Sequence, residues 1–142
     1  KKDFYKNVLQ INGEVFIRRM QYNIMREGSF VGYHLDTDSN PDYLIAIVIQ
    51  FGKEFEGGNY VVYGGDMPPR NFMPSNRSII LSHCNFPHEV TRVNSGVRKS
   101  LVYFVSGIPL HPEKLRASFC LQAFVPGHHS VGHDLPQRKQ YN

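Results

Sequence analysis

Short segments rich in β-branched and aromatic residues alternate with turn signals along most of this 142-residue chain. Such segments predict strands at residues 15–25, 43–51, 60–63, 78–82 and 97–105. The segment 43–51 is almost wholly apolar, which predicts a strand buried on both faces. Many short strands with little helix between them predict a mainly β fold, either a sandwich or a barrel.

The segments between these strands carry weaker signals. Residues 3–10 and 112–124 are candidate helices, the second with Pro112 at the first position, where helices tolerate proline. The E-G-G-N stretch at 56–59 predicts a hairpin turn. Residues 64–77 contain three prolines and two glycines, which predicts a loop.

Size and charge limit the classes of function. A chain of 142 residues suits a single domain, which we place at 1–142. The formal charge is +4, but the lysines and arginines are scattered and form no run of four. A mildly basic surface of this kind suits any anionic small molecule, so we expect no dedicated nucleic-acid partner.

Cysteine content and hydropathy bear on the compartment. Cys84 and Cys120 are too few for a disulfide framework, which favours a reducing, cytoplasmic environment. The longest apolar run, at 43–49, falls far short of the roughly 20 residues that span a bilayer. No basic segment followed by an apolar stretch opens the chain, so we expect neither a membrane span nor a secretory signal.

The tripeptide His34-Leu35-Asp36 places an imidazole and a carboxylate two residues apart. On an extended backbone these two side chains point to the same face, and His88 from a later strand would complete three ligands. Two imidazoles and one carboxylate on one face of an octahedron suit Fe(II) and leave three positions open. His34, Asp36 and His88 are therefore candidate metal ligands and a candidate catalytic centre.

Two other interpretations of these residues remain open. A structural zinc site would use Cys84, four residues before His88. In such a site the protein fills every coordination position, and Arg98 and Ser100, ten and twelve residues after His88, would have no role. The same residues would also be coincidental in a purely structural β-sandwich. Metal analysis of the purified protein tests the structural β-sandwich, because that interpretation predicts no stoichiometric iron.

Three segments match one known pattern: G-S-F-V-G-Y-H-L-D (28–36), E-G-G-N-Y (56–60) and P-H-E-V-T-R-V-N-S-G-V-R-K-S-L-V-Y-F (87–104). Together they resemble the 2-oxoglutarate and Fe(II)-dependent oxygenase superfamily, and most closely its prolyl-hydroxylase-like branch. The resemblance covers roughly Met20 to Phe104. It implies a double-stranded β-helix, which is a jelly-roll or cupin-like barrel, with few flanking helices.

The resemblance also implies a cosubstrate site. In the family, a basic residue about ten positions after the distal histidine pairs with the distal carboxylate of 2-oxoglutarate, and Arg98 stands there. Ser100 would assist from the same strand face. A guanidinium suits this role because its planar fork fits a carboxylate and stays charged when buried.

Asn23 is a further cofactor-binding candidate on the same ground. It occupies the position of an asparagine that the nucleic-acid demethylase branch places near the other carboxylate of 2-oxoglutarate. That branch has a tyrosine two residues later, where this chain has Met25.

The activity that the resemblance implies is an Fe(II)- and 2-oxoglutarate-dependent dioxygenase. Such an enzyme consumes O2, releases succinate and CO2 and hydroxylates an unactivated C–H bond, with ascorbate as a candidate reductant. Halogenating members replace the carboxylate ligand by a small residue, so Asp36 favours hydroxylation. The substrate, a small molecule or a peptide, remains open between an amino-acid side chain and a small metabolite.

One alternative keeps the barrel and the metal but lacks turnover, as in a cupin-like binding module. A typical cupin supplies H-x-H and a nearby Glu, which this sequence lacks.

The outward-facing side chains of the strand at 97–105 need cover, and relatives usually supply it with helices before the barrel. We therefore expect either a further N-terminal segment or a partner chain to cover Val97, Leu101, Tyr103 and Val105.

Overall fold

The computed structural model describes residues 7, 10, 11 and 13–108, and the backbone of 119–124. The described residues include two β-sheets and a short helix at 36–39. In chain order the elements are β1 (Phe16–Arg26), β2 (Val31–His34), α1 (Asp36–Ser39), β3 (Ile45–Phe51), β4 (Phe55–Gly57), β5 (Tyr60–Gly64), β6 (Met67–Phe72), β7 (Ile79–His83), β8 (His88–Val90), β9 (Val93–Ser106) and β10 (Phe119–Phe124).

The larger sheet has the strand order β10-β1-β9-β3-β7, with β4 paired to β9, and the smaller sheet has the order β2-β8-β5-β6. All pairs are antiparallel except β1 with β10. Consecutive strands such as β1, β2 and β3 alternate between the sheets, so the chain winds back and forth across the core. The predicted mainly β, jelly-roll-like fold is confirmed.

Strand β9 fixes which side chains face the interior. From Arg98 to Phe104 the buried residues are Arg98, Ser100, Val102 and Phe104, which alternate with half-buried neighbours as a pleated strand requires. Residues directly opposite in an antiparallel pair share a face, so β1 contributes the side chains opposite these positions. The interior of the larger sheet is therefore apolar near Phe104 and polar near Arg98.

Two apolar clusters hold the sheets together. The first joins β3 to β9 and includes a stacked pair, Tyr43 on Phe104, with ring centroids 4.6 Å apart. The second brings Met25 of the larger sheet against Tyr60 and Val90 of the smaller one. Burying an apolar side chain of this size contributes about 1.5–3 kcal/mol, so these contacts fix the spacing between the sheets.

The outer face of the larger sheet is only partly covered by the described residues. Val105 is buried, and it packs with Ile11 and Ile45. Ile47 and Leu101 are half-buried, because nothing described lies over the middle of the sheet. The prediction that the strand at 43–51 is buried on both faces is therefore wrong for this part of the chain.

Three further local predictions differ from the structure. The E-G-G-N stretch at 56–59 is not a hairpin, because β4 pairs with β9 whereas β5 pairs with β6 and β8, in the other sheet. The predicted loop 64–77 contains β6, an edge strand whose prolines do not break the single ladder it joins. Of the predicted helix 112–124, the described part is strand β10.

Most of the predicted helix 3–10 lies outside the described residues. Among the residues that are described, no helix has the length and apolar character needed to cross a membrane.

Candidate active site

The two histidines lie side by side on the smaller sheet. His34 ends β2, His88 begins β8, and the two residues are paired across these strands with their ring centroids 4.3 Å apart. Each Nδ1 lies within hydrogen-bond distance of the carbonyl oxygen two residues earlier, 2.8 Å for Gly32 and 3.0 Å for Phe86. Donation from Nδ1 leaves both Nε2 lone pairs available to a metal.

Asp36, the first residue of α1, faces these two nitrogens. Its Oδ1 lies 3.6 Å from Nε2 of His34, and its Oδ2 lies 3.7 Å from Nε2 of His88. The ligand atoms of the three residues all lie within 4.8 Å of one another. This grouping brings together the three residues that the sequence singled out as metal ligands.

The burial of Asp36 indicates, independently of the distances between the three residues, that they could hold a divalent cation. Asp36 is 8% exposed, and its Oδ2 is buried without a hydrogen-bond partner. A buried carboxylate oxygen with no partner is costly, and a metal ion would satisfy it. Two imidazoles and one carboxylate form the donor set that suits Fe(II) with open positions.

The two imidazoles have different proton affinities. Burial lowers the pKa of His34, but the neighbouring Asp36 carboxylate and the Gly32 carbonyl outweigh it and raise the pKa above its usual value. The pKa of His88 is lowered, chiefly by burial, with Asp36 opposing the shift only in part. Metal binding needs neutral imidazoles, so a cation held by these residues would compete with the proton that Asp36 favours on His34.

Arg98 lies in the polar part of the interior. It is 2% exposed, and its Nη1 donates to Sδ of Met25 at 3.4 Å and to Oγ of Ser100 at 3.5 Å. Its Nε and Nη2 are buried without partners, and no carboxylate among the described residues pairs with it. Burial lowers the pKa of Arg98 to about 10, so the side chain stays charged at neutral pH.

Asn23 lies on the inner face of β1, directly opposite Ser100 of β9. Its Oδ1 accepts a hydrogen bond from Nε2 of Gln21 at 2.6 Å. The structure therefore brings Asn23 together with Ser100 and Arg98, which are the other two predicted cofactor-binding residues.

Tyr60 joins the metal-ligand group to the arginine, and the sequence analysis missed it. The ring lies 5.0 Å from that of His88, the hydroxyl is buried without a hydrogen-bond partner, and Tyr60 acts electrostatically on Arg98. Burial raises the pKa of its phenol, so Tyr60 stays a neutral donor. Its position two residues after Gly57-Gly58 and the alternation along β5 were the only available signals.

Comparison with known proteins places these features in a family. The model of the 2OG-Fe(II) oxygenase superfamily matches residues 20–106, more than half of the chain. The chain belongs to this superfamily. An oxidoreductase of the 2OG-Fe(II) oxygenase family from Burkholderia pseudomallei is 43% identical in sequence and has a TM-score of 0.70. The match covers 75% of this chain and 50% of that one, so the chain spans about half the length of this relative.

More distant solved structures share the fold of this superfamily member. A prolyl-4-hydroxylase from Pseudomonas putida is 21% identical, with a TM-score of 0.54 over 61% of this chain and 51% of that one. A prolyl 4-hydroxylase from Phytophthora capsici is 19% identical, with a TM-score of 0.52 over 68% of this chain and 37% of that one. No curated protein matches the sequence.

The structure of this superfamily member does not support the alternative of a structural zinc site that uses Cys84. Within the described residues, the group of side chains able to hold a metal comprises His34, Asp36 and His88, and it does not include Cys84. Cys84 is fully buried, and burial raises the pKa of its thiol, with the charge of Asp36 adding to the effect. Among the described residues, the geometry therefore gives no support to a zinc site that uses Cys84.

Proposed function

We propose that this chain is the catalytic domain, spanning 1–142, of an Fe(II)- and 2-oxoglutarate-dependent dioxygenase. In this proposal it hydroxylates an unactivated C–H bond and releases succinate and CO2. The observation that carries the proposal is the buried guanidinium of Arg98, which has no carboxylate partner and shares the barrel interior with the three-ligand group. A dicarboxylate that binds the metal at one end would satisfy this guanidinium at the other.

His34, Asp36 and His88 would hold the iron through two Nε2 atoms and a carboxylate oxygen. Iron bound there together with 2-oxoglutarate would supply the activation of O2, with ascorbate as a candidate reductant for the metal. The retained carboxylate of Asp36 supports hydroxylation in preference to halogenation.

The residues deeper in the barrel would bind and orient the cosubstrate. Arg98 would form a charged, two-point contact with its distal carboxylate, and Ser100 and Tyr60 would add hydroxyl donors. Asn23, opposite Ser100, would contact the other carboxylate. Each of these groups is fixed on a strand, so little side-chain freedom is lost on binding.

The test is anaerobic addition of Fe(II) and 2-oxoglutarate, followed by visible absorption. The proposal expects the weak charge-transfer band of the iron–2-oxoglutarate chelate, absent in His34→Ala. It also expects slow succinate release when O2 is admitted. The proposal is overturned if the wild-type protein gives no charge-transfer band, or if His34→Ala gives the same spectrum as the wild type.

A cupin-like binding module is the competing function. It would bind metal at the same three residues yet convert no 2-oxoglutarate, so succinate release separates it from the oxygenase. The observation against it is Arg98, because a metal-binding module has no need of a buried, unpaired guanidinium.

A further inference from the structure

An apolar groove of about 550 Å³ runs beside the metal-ligand group, between the β5–β6 pair and the edge strand β7. This volume falls within the range of about 300–1,000 Å³ that small-molecule sites occupy. Its apolar walls include Val62, Met67, Phe72, Ile80 and Phe86. Tyr60 also lines it, and because that ring packs on His88, the groove adjoins the proposed iron site.

One cross-strand row connects this groove to the metal ligands. His34 pairs with His88, His88 pairs with Val62, and Val62 pairs with Arg70. Directly opposite residues lie on the same face of a sheet, so all four belong to the inner face of the smaller sheet. Neighbouring strands are 4.7–4.9 Å apart, which places the backbone of Arg70 about 10 Å from that of His88.

Among the described residues that line the groove, Arg70 alone carries a permanent charge. It is exposed, and none of the hydrogen bonds, ion pairs or ring contacts of the described residues involves it. The other polar lining groups are Ser82, His83 and the hydroxyl of Tyr60, none of which carries a permanent charge. An apolar trough with one unpaired guanidinium suits a ligand with an apolar body and one anionic end.

We propose that the substrate of this oxygenase is an apolar carboxylic acid whose body lies in this groove and whose carboxylate pairs with Arg70. The carbon that is oxidised would then lie several bonds from the carboxylate, toward His88. The inference rests on the proposed function. One oxygen atom of O2 enters the substrate C–H bond as hydroxyl, and the other enters succinate as 2-oxoglutarate loses CO2.

The first experiment measures binding by calorimetry, with Fe(II) and 2-oxoglutarate present and oxygen excluded. Octanoate, octanamide and octylamine share one chain and differ in charge. Octanoate is expected to bind, the amide to bind at least about tenfold more weakly, and the amine not at all. Absence of octanoate binding, or equal binding of the three, overturns the inference.

Variants of Arg70 test which cation is responsible. Arg70→Gln is expected to weaken octanoate binding about tenfold, while Arg70→Lys keeps most of it, because only the first removes the charge. Lys53→Gln removes an exposed cation from outside the groove and is expected to change nothing. Unchanged octanoate affinity in Arg70→Gln overturns the inference.

Gly64 offers a second test that leaves Arg70 intact. It lines the groove, a Cβ at this position meets nothing within 4 Å, and its φ is not in the left-handed region. Gly64→Phe is therefore expected to fill the groove without backbone strain and abolish octanoate-stimulated succinate release, whereas Gly64→Ala leaves it intact. Full stimulation in Gly64→Phe overturns the inference.

The two proposals fail in different ways. If the oxygenase proposal is wrong, the wild-type protein shows no iron–2-oxoglutarate band and no uncoupled succinate release. If only the groove inference is wrong, the band and the uncoupled release are normal and octanoate binding does not depend on Arg70.

Discussion

Nη1 of Arg98 lies 3.4 Å from Sδ of Met25, so a thioether is the nearest partner of a fully buried guanidinium. A thioether is a weak acceptor and cannot neutralise the charge. Removal of a cation from water costs several kcal/mol when no carboxylate compensates. The unliganded fold therefore carries an unfavourable term that an anionic cosubstrate would relieve.

Arg98→Met is expected to stabilise the unliganded protein by about 1–4 kcal/mol, because an apolar side chain of similar length replaces an unpaired buried charge. The variant is also expected to lose the stabilisation that 2-oxoglutarate gives the wild-type protein. Urea unfolding with and without 2-oxoglutarate measures both effects. Arg26→Met, at an exposed position of β1, serves as control and should change stability by less than about 0.5 kcal/mol. Equal stabilisation of Arg98→Met and wild type by 2-oxoglutarate would contradict the assignment.

Asp36→Asn is expected to weaken Fe(II) binding by more than about 100-fold, since loss of groups that merely support a ligand already costs 10–100-fold. The amide preserves shape and removes the charge that faces both imidazoles. The matched control is Asp38→Asn, because Asp38 is an exposed residue of the same helix, two positions further on. Anaerobic titration with Fe(II) measures the affinity of each variant. Similar Fe(II) affinities in Asp36→Asn and Asp38→Asn would show that Asp36 is not a metal ligand.

Gly58→Ala is expected to lower 2-oxoglutarate affinity about tenfold, although none of the proposed cofactor-binding residues is itself substituted. A Cβ at this position would lie 2.8 Å from Cδ of Arg98, and the backbone has φ +61. The guanidinium must shift, and the left-handed backbone costs about 1–2 kcal/mol of stability as well. Gly64→Ala is the control because its Cβ has open space. The KM for 2-oxoglutarate measures the effect, and an unchanged value would show that Arg98 tolerates displacement.

Asn23→Ala is expected to raise the KM for 2-oxoglutarate about fivefold to tenfold, the value of one hydrogen bond of about 1–1.5 kcal/mol. The reason is its position on the inner face of β1, opposite Ser100. Tyr22→Phe tests the outer face of the same strand, where Tyr22 stacks on Phe51, and should leave the KM unchanged. If the two substitutions have the same effect, Asn23 makes no contact with the cosubstrate.

Periodicity and residue spacing predicted much of this molecule. The strands at 15–25, 78–82 and 97–105 match β1, β7 and β9 to within a few residues, because alternating β-branched and aromatic residues leave little choice of conformation. The His34–Asp36 spacing also predicted that these two side chains would face the same side, whereas Arg98 was predicted only through the resemblance to the oxygenase superfamily. Local geometry brings His34 to Asp36, and the register of β2 against β8 brings His88 to His34.

The failures have a common physical cause, since each depends on a partner distant in sequence. Proline content made 64–77 a predicted loop, but a strand with one free edge accepts proline, and only the pairing with β5 shows that β6 is such a strand. Gly57-Gly58 predicted a hairpin, yet the left-handed backbone there carries the chain from β4 in one sheet to β5 in the other. The sequence did not predict a role for Tyr60, because its position beside His88 depends on this passage of the chain from β4 to β5.

The pairing of Phe16 with Ser106 has a consequence for how the molecule folds. Strand β9 lies between β1 and β3, so the centre of the larger sheet cannot form until β9 has been synthesised. Contacts this distant along the chain require costly loop closure and make folding slow. His34 and Asp36 leave the ribosome long before His88 and Arg98 do. The nascent chain would therefore lack the proposed iron site, and metal loading would follow completion of the barrel.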